Sequence, residues 1–190
     1  MLMMALSAMV FELVIPNEAT GDVSQASAEM TEHLIRRLFE KAIGNALRLS
    51  LEPSEWTVKQ GRRLRWPVEN ASHGIVDILP GMQTDIELIH VPSGRQIVID
   101  TKFTEIFTSS NYRSKMLKNG YLYQLYAYLR TQEGGRQPDS GLSEGMLLHP
   151  QVGASVDEYM ELQGHRMRFR TIDLTATPPV FEEALCRLIA

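Results

Sequence analysis

Apolar side chains fall at Leu34, Ile35, Leu38, Phe39, Ala42, Ile43, Ala46 and Leu47, a spacing of three and four that draws one stripe down a helix. It predicts an amphipathic helix over about residues 31–50, stopped by Pro53. Ahead of it, residues 17–30 are polar and read as an irregular connection. Beyond Trp56 the period shortens to two. Residues 56–68 read as one or two extended segments, broken at Gly61 and Pro67. Residues 83–91 and 95–103 form the arms of a hairpin that turns around Pro92, Ser93 and Gly94. A polar connection at Ser109, Ser110 and Asn111 leads to a second helix over about 113–131, with Leu117, Tyr121, Leu125, Tyr128 and Leu129 as its stripe. Residues 134–145 are dense in turn signals and read as a loop, followed by a short buried strand at 146–150. Over 165–174 basic and apolar residues alternate, so Arg166, Arg168 and Arg170 share a face, read as a solvated edge, opposite Met167 and Phe169. A last helix spans 180–189, with prolines in its first turn. Helix, three strands, helix, two strands, helix predicts an α/β domain over 31–190, helices flanking a central mixed sheet, with residues 1–30 packing on or leading into it.

Composition narrows the class. With 190 residues, 44% hydrophobic and only 13 Gly and 9 Pro, the chain can bury a core unaided, and disordered or collagen-like classes are excluded. Cys186 is the only cysteine, which excludes an internal disulfide and a cysteine-cluster zinc site; it reads as a small core residue. The apolar amino terminus lacks a basic leader, is interrupted by Glu12 and is too short to span a bilayer, so a soluble cytoplasmic protein with no membrane partner is expected. A net charge of −4, from 19 basic and 23 acidic side chains, excludes recruitment to nucleic acid by bulk charge. Two local patches remain. Lys59, Arg62, Arg63 and Arg65 lie between Trp56 and Trp66, and Arg113, Lys115 and Lys118 precede the second helix; each suits phosphate contact or simple solvation. The sequence has no GxxxxGK[ST] or HExxH element and no convincing nucleophile elbow, so it should not hydrolyse nucleotides itself, nor act as a zinc or serine hydrolase.

The hairpin carries the candidate chemistry. Pairing Val91 with Gln96 sets Asp85 opposite Lys102 and Glu87 opposite Asp100, all on one side, with Ile86, Leu88, Ile97 and Ile99 on the other. Three carboxylates and a lysine on one face suit metal-assisted phosphodiester hydrolysis, because hard oxygen ligands hold Mg²⁺ and the lysine can orient water. Solvated cross-strand ion pairs would leave the same pattern.

Around the hairpin, Asp85 followed by Asp100-Thr101-Lys102 resembles the D…(D/E)xK signature of the PD-(D/E)xK nuclease superfamily, with Thr84 in place of its proline. Gln124 and Tyr128, one helical turn apart, resemble the QxxxY element of RecB-like nucleases. The phrases LFEKAIGNAL, IVIDTKF and YQLYAY are similar to the McrC family, and the likeness runs over residues 30–175. It implies a restriction-endonuclease-like αβββαβ core and a metal-dependent DNA endonuclease, the nuclease subunit of a modification-dependent restriction system. It further implies Mg²⁺, replaceable by Mn²⁺, on Asp85, Asp100 and Glu40, with Lys102 catalytic and Gln124 and Tyr128 supporting the site or touching DNA. Glu87 is added from geometry as an accessory. The implied partners are DNA and a separately encoded McrB-like AAA+ GTPase; with about thirty residues ahead of the first core helix, the region engaging that motor is expected to be absent or truncated. A catalytically silent DNA-binding or assembly subunit, and a RecB-like repair exonuclease, are the other readings.

Overall fold

In the computed structural model, which describes residues 25–108, 115–133 and 143–190, six strands join into one mixed sheet. The described residues begin with helix α1 (Gln25–Ser50), then strand β1 (Trp56–Gln60). An arm follows, made of β2 (Arg63–Leu64), a single-turn helix α2 (Ile75–Ile78) and β3 (Met82–Gln83). The hairpin is β4 (Ile86–His90) and β5 (Gln96–Thr101). A two-stranded ribbon, β6 (Phe107–Thr108) and β7 (Met116–Leu117), leads to helix α3 (Asn119–Thr131). Strands β8 (Glu144–Pro150), β9 (Asp157–Leu162) and β10 (His165–Ile172) and helix α4 (Pro178–Ile189) complete the domain. The sheet order is β1-β4-β5-β8-β10-β9, with β8 parallel to both its neighbours and the other pairs antiparallel. The expected αβββαβ order is present as α1, β1, β4, β5, α3 and β8, a mixed α/β fold with helices on both faces.

Each face buries its own core. Ile35, Phe39, Ile43 and Leu47 of α1, with Phe181, Leu185 and Leu188 of α4, cover Ile86, Leu88, Ile97 and Ile99. On the other side Leu125, Tyr128 and Leu129 of α3 cover Val98, Leu147, Met167 and Phe169. Strand β8 is buried at every position after its first, as a central strand covered on both faces must be, so it shows no polar alternation.

Several expectations are corrected. Residues 25–30 extend α1 toward the amino terminus, because QASAEM, though polar, holds no Gly or Pro to stop a helix. Helix α3 starts at Asn119, not near 113: Lys118 is extended (φ −72°, ψ 119°), and Met116 and Leu117 pair with Thr108 and Phe107 as a strand. The hairpin register is two residues tighter, pairing Ile86 with Ile99 and Ile89 with Gln96. Gly94 sets it: at φ +68° it takes the left-handed conformation that closes the turn, and His90 N–H then bonds Arg95 O at 2.8 Å. Since the shift is even, each side chain keeps its face. Strand β10 is no edge. It lies between β8 and β9, and Arg168 is 5% exposed and paired with Glu144 at 2.9 Å. Strand β9, almost wholly exposed, is the edge the hydrophobic pattern did not show. Cys186 is exposed, off the stripe of Phe181, Leu185 and Leu188. The amino-terminal segment up to residue 24, Ser109, Ser110, Asn111, Arg113 and most of the predicted loop at 134–145 lie outside the described residues.

Candidate metal centre

Asp85 stands immediately before β4 and Asp100 is the penultimate residue of β5, so continuing the ladder one step brings the two carboxylates side by side. Thr101 fixes the first: its backbone N–H and hydroxyl donate to Asp85 Oδ2 at 2.7 and 2.8 Å. No hydrogen bond reaches Asp85 Oδ1 from the described residues. Asp100 is 1% exposed. Lys102 Nζ donates to its Oδ1 at 3.1 Å and lies 2.9 Å from Oδ2, which receives no well-directed hydrogen bond.

The register change accounts for the lysine. Lys102 lies one residue past β5, where its amide still bonds Leu148 O at 2.9 Å, and is not opposite Asp85. Its ammonium also donates to Gln124 Oε1 at 3.0 Å, and Gln124 Nε2 donates to the Tyr128 hydroxyl at 2.7 Å. Positions i and i+4 of α3 therefore hold the lysine from above, while Leu125 and Leu129 anchor the helix in the core beneath. Tyr128 serves both, its ring buried and its hydroxyl in the relay. The Tyr121 ring lies between two cations, with Lys102 Nζ 4.9 Å and Lys118 Nζ 5.4 Å from its centre.

These groups open onto a cleft of about 450 Å³ lined by Glu40, Asp85, Thr101, Lys102 and Tyr121, with Glu32, His33, Arg36 and Arg37 of α1 along its rim. Glu40 is half-buried beside Phe39, and its pKa is raised, first by burial and then by the charge of Asp85. Burial pushes the Asp100 carboxyl up to about 7; the Lys102 charge opposes this, and Asp85 and Glu40 add to it. Three carboxylates thus gather around one ammonium, that of Lys102, with Arg36 and Arg37 also on the cleft. Among the described residues no three Asp, Glu, His or Cys side chains converge tightly enough to enclose an ion. Mg²⁺ does not require that, since it is usually held by one or two carboxylates, with waters and phosphate completing its shell. Asp85 with Oδ1 unengaged among the described residues, the buried Asp100 carboxyl beside it, facing only Lys102, and Glu40 on the cleft wall fit such an ion.

Glu87 departs from expectation. It is fully buried, and its carboxylate receives Arg62 Nη1 at 2.8 Å and the Thr84 hydroxyl at 3.2 Å, so it is committed to the β2–β3 arm instead of the cleft. Lys59, Arg63 and Arg65 are exposed; Lys115 is exposed with its ammonium 5.6 Å from the Phe107 ring centre. Thr101, Tyr121, Arg36 and Arg37 line the cleft without having been singled out from sequence. For the α1 residues a signal existed, since His33, Arg36, Arg37 and Glu40 recur at helical spacing on one face.

The fold and this cleft define a restriction-endonuclease-like α/β domain with paired acidic residues beside a lysine at the sheet end. Residues 13–147 match the family described as McrBC 5-methylcytosine restriction system component, and the chain belongs to that family. It is 24% identical over 172 residues to the Type IV methyl-directed restriction enzyme EcoKMcrBC of Escherichia coli (strain K12), a match that takes in 90% of this chain and 47% of that protein. The chain thus spans about half the length of that curated relative. No helix among the described residues is long and apolar enough to cross a membrane.

Proposed function

We propose that this chain is a Mg²⁺-dependent DNA endonuclease of the PD-(D/E)xK type, the McrC-like nuclease subunit of a modification-dependent restriction system acting in the cytoplasm. The observation that carries the reading is the relay Asp100–Lys102–Gln124–Tyr128, which reaches through Lys102 the cleft that Asp85 and Glu40 line. Asp85 and Asp100 would hold the metal, with Glu40 accepting a hydrogen bond from a water in its shell. When bound, Mg²⁺ lowers the pKa of a water and offsets charge on the attacked phosphate. Thr101 keeps Asp85 in place. Lys102, charged beside Asp100, orients the attacking water and stabilises negative charge developing on the phosphate. Gln124 keeps the ammonium on that spot, and Tyr128 positions the Gln124 amide. Arg36, Arg37, Lys115 and Lys118 supply phosphate contacts near the cleft that the net charge does not.

Membership of the McrBC family supports a partner: a separately encoded McrB-like AAA+ GTPase, since this sequence has no phosphate-binding loop of its own. The test is cleavage of supercoiled plasmid, with and without methylated cytosine, with Mg²⁺ or Mn²⁺, alone and with such a partner. Cutting that disappears in Lys102→Ala, a variant that still folds, is the expected result. Degradation of linear but not circular DNA would assign a RecB-like exonuclease. Metal-independent DNA binding with no cutting under any condition would assign a silent subunit.

A further inference from the structure

A second cleft, of about 600 Å³, lies on the α3 face of the sheet, walled by Lys59, Arg62, Arg63 and Arg65 and floored by Gln96 and Gln132. Among the described residues no carboxylate lines it. Glu87, beneath it, is fully buried and already satisfied by Arg62 and Thr84. The cleft holds hydrogen-bond donors in excess. Arg62 uses only Nη1, toward Glu87 at 2.8 Å and Gln132 Oε1 at 3.1 Å, so its Nε and Nη2 have no acceptor among the described residues. Gln132 is 8% exposed; its Oε1 also accepts from Gln96 Nε2 at 2.7 Å, while its own Nε2 has no acceptor. Lys59, Arg63 and Arg65, the N–H groups that Arg62 does not spend on Glu87 and Gln132, and a buried amide donor together suit an oxyanion ligand.

We infer that this cleft is a phosphate-backbone subsite, taking a phosphodiester of the DNA at a distance from the bond that is cut. The inference rests on the nuclease reading and adds a footprint to it. Both clefts touch β4, Asp85 at its start and Ile89 near its end. Four residues of strand at about 3.3 Å each separate them by roughly 13 Å. On one strand of a duplex, where phosphates wind around the axis as well as rising along it, that straight-line distance spans about two phosphate steps.

The experiment uses the full chain carrying Lys102→Ala, which does not cut, and fluorescence anisotropy of a short labelled duplex over a range of salt. Arg62 is left unchanged, because removing it would strand buried Glu87 without its partner. Arg63→Gln with Arg65→Gln should weaken binding roughly tenfold or more and reduce the log–log salt slope by about two. A neutral methylphosphonate about one to three steps from the cut should weaken binding to the parent and not to the double variant. Equal affinity and slope for the two proteins would overturn the inference. So would stabilisation by inorganic phosphate that the double variant loses while its DNA binding is unchanged, which would mark a free-anion site. Mn²⁺ stabilisation reads separately on the first cleft: its absence overturns the nuclease reading, whereas its presence with an unchanged salt slope overturns only this subsite.

Discussion

Asp100 is the residue whose setting conflicts most with its charge. Its carboxyl is pushed by burial to about 7, well above the roughly 3.9 of an unfolded aspartate. Stability gained from the neutral acid is therefore complete below about pH 4 and lost as pH rises toward 7. Metal-free Asp100→Asn should melt higher than the parent at pH 8, by an amount that shrinks toward pH 4, while cutting is abolished. Thermal denaturation in EDTA across that range checks it, and an equal or lower melting temperature at pH 8 would contradict the assignment. Gln124→Leu addresses the lysine: cleavage should fall by about 10- to 100-fold through lost orientation, with Mn²⁺ stabilisation retained. Much of this geometry was legible in the sequence, because Asp85, Asp100, Lys102, Gln124 and Tyr128 are polar groups at spacings with a geometric meaning. Thr101 and Tyr121 were not. A threonine in a strand and a tyrosine in an apolar stripe look like packing, and only the fold shows one tied to Asp85 and the other between two lysines.

At the level of elements, alternation along the hairpin predicted the correct faces with the wrong register. Period two is unchanged by a shift of two, so only the turn, through Gly94, could decide which residues stand opposite. Strand β9 and the burial of Arg168 were hidden for a related reason: an exposed edge carries no hydrophobic signal, and an arginine buried by partners distant in sequence looks like one in solvent. The contact that places α3 is more specific. A Cβ added at Gly145 on β8 would lie 2.9 Å from Leu129 Cδ1 and 3.0 Å from Leu125 Cγ, both residues fully buried. Gly145→Ala should destabilise the protein by about 1–3 kcal/mol by urea denaturation. It should also lower cleavage below what the folded fraction explains, because the helix it displaces carries Gln124. Cleavage that tracks the folded fraction alone would separate α3 packing from the site.

Across the whole molecule, two ionic systems respond to pH in opposite directions. Arg95 and Arg168 share Glu144 and donate to the last carbonyls of α4, at 2.6 Å to Ile189 O and 2.5 Å to Ala190 O, tying that helix to the sheet. Burial alone would raise the Glu144 pKa, but the Arg95 hydrogen bond and the charges of Arg95 and Arg168 bring it below the ordinary value. Its contribution is therefore present above about pH 4.3 and lost as pH falls through the lower folded value. The carboxylate cleft runs the other way, becoming less favourable as pH rises toward 7. A divalent ion reverses that second trend, since it binds the ionised carboxylates and must displace the proton held by Asp100. The melting-temperature gain from a fixed Mn²⁺ concentration should consequently grow from pH 6 to pH 8, with apparent affinity rising up to about tenfold per pH unit below 7 and levelling above it. Glu144→Gln should lower the baseline melting temperature near neutral pH and leave that dependence unaltered, because Glu144 lies outside the carboxylate cleft. A Mn²⁺ effect that is flat with pH would mean the ion does not displace the Asp100 proton, and would move the metal away from this pair.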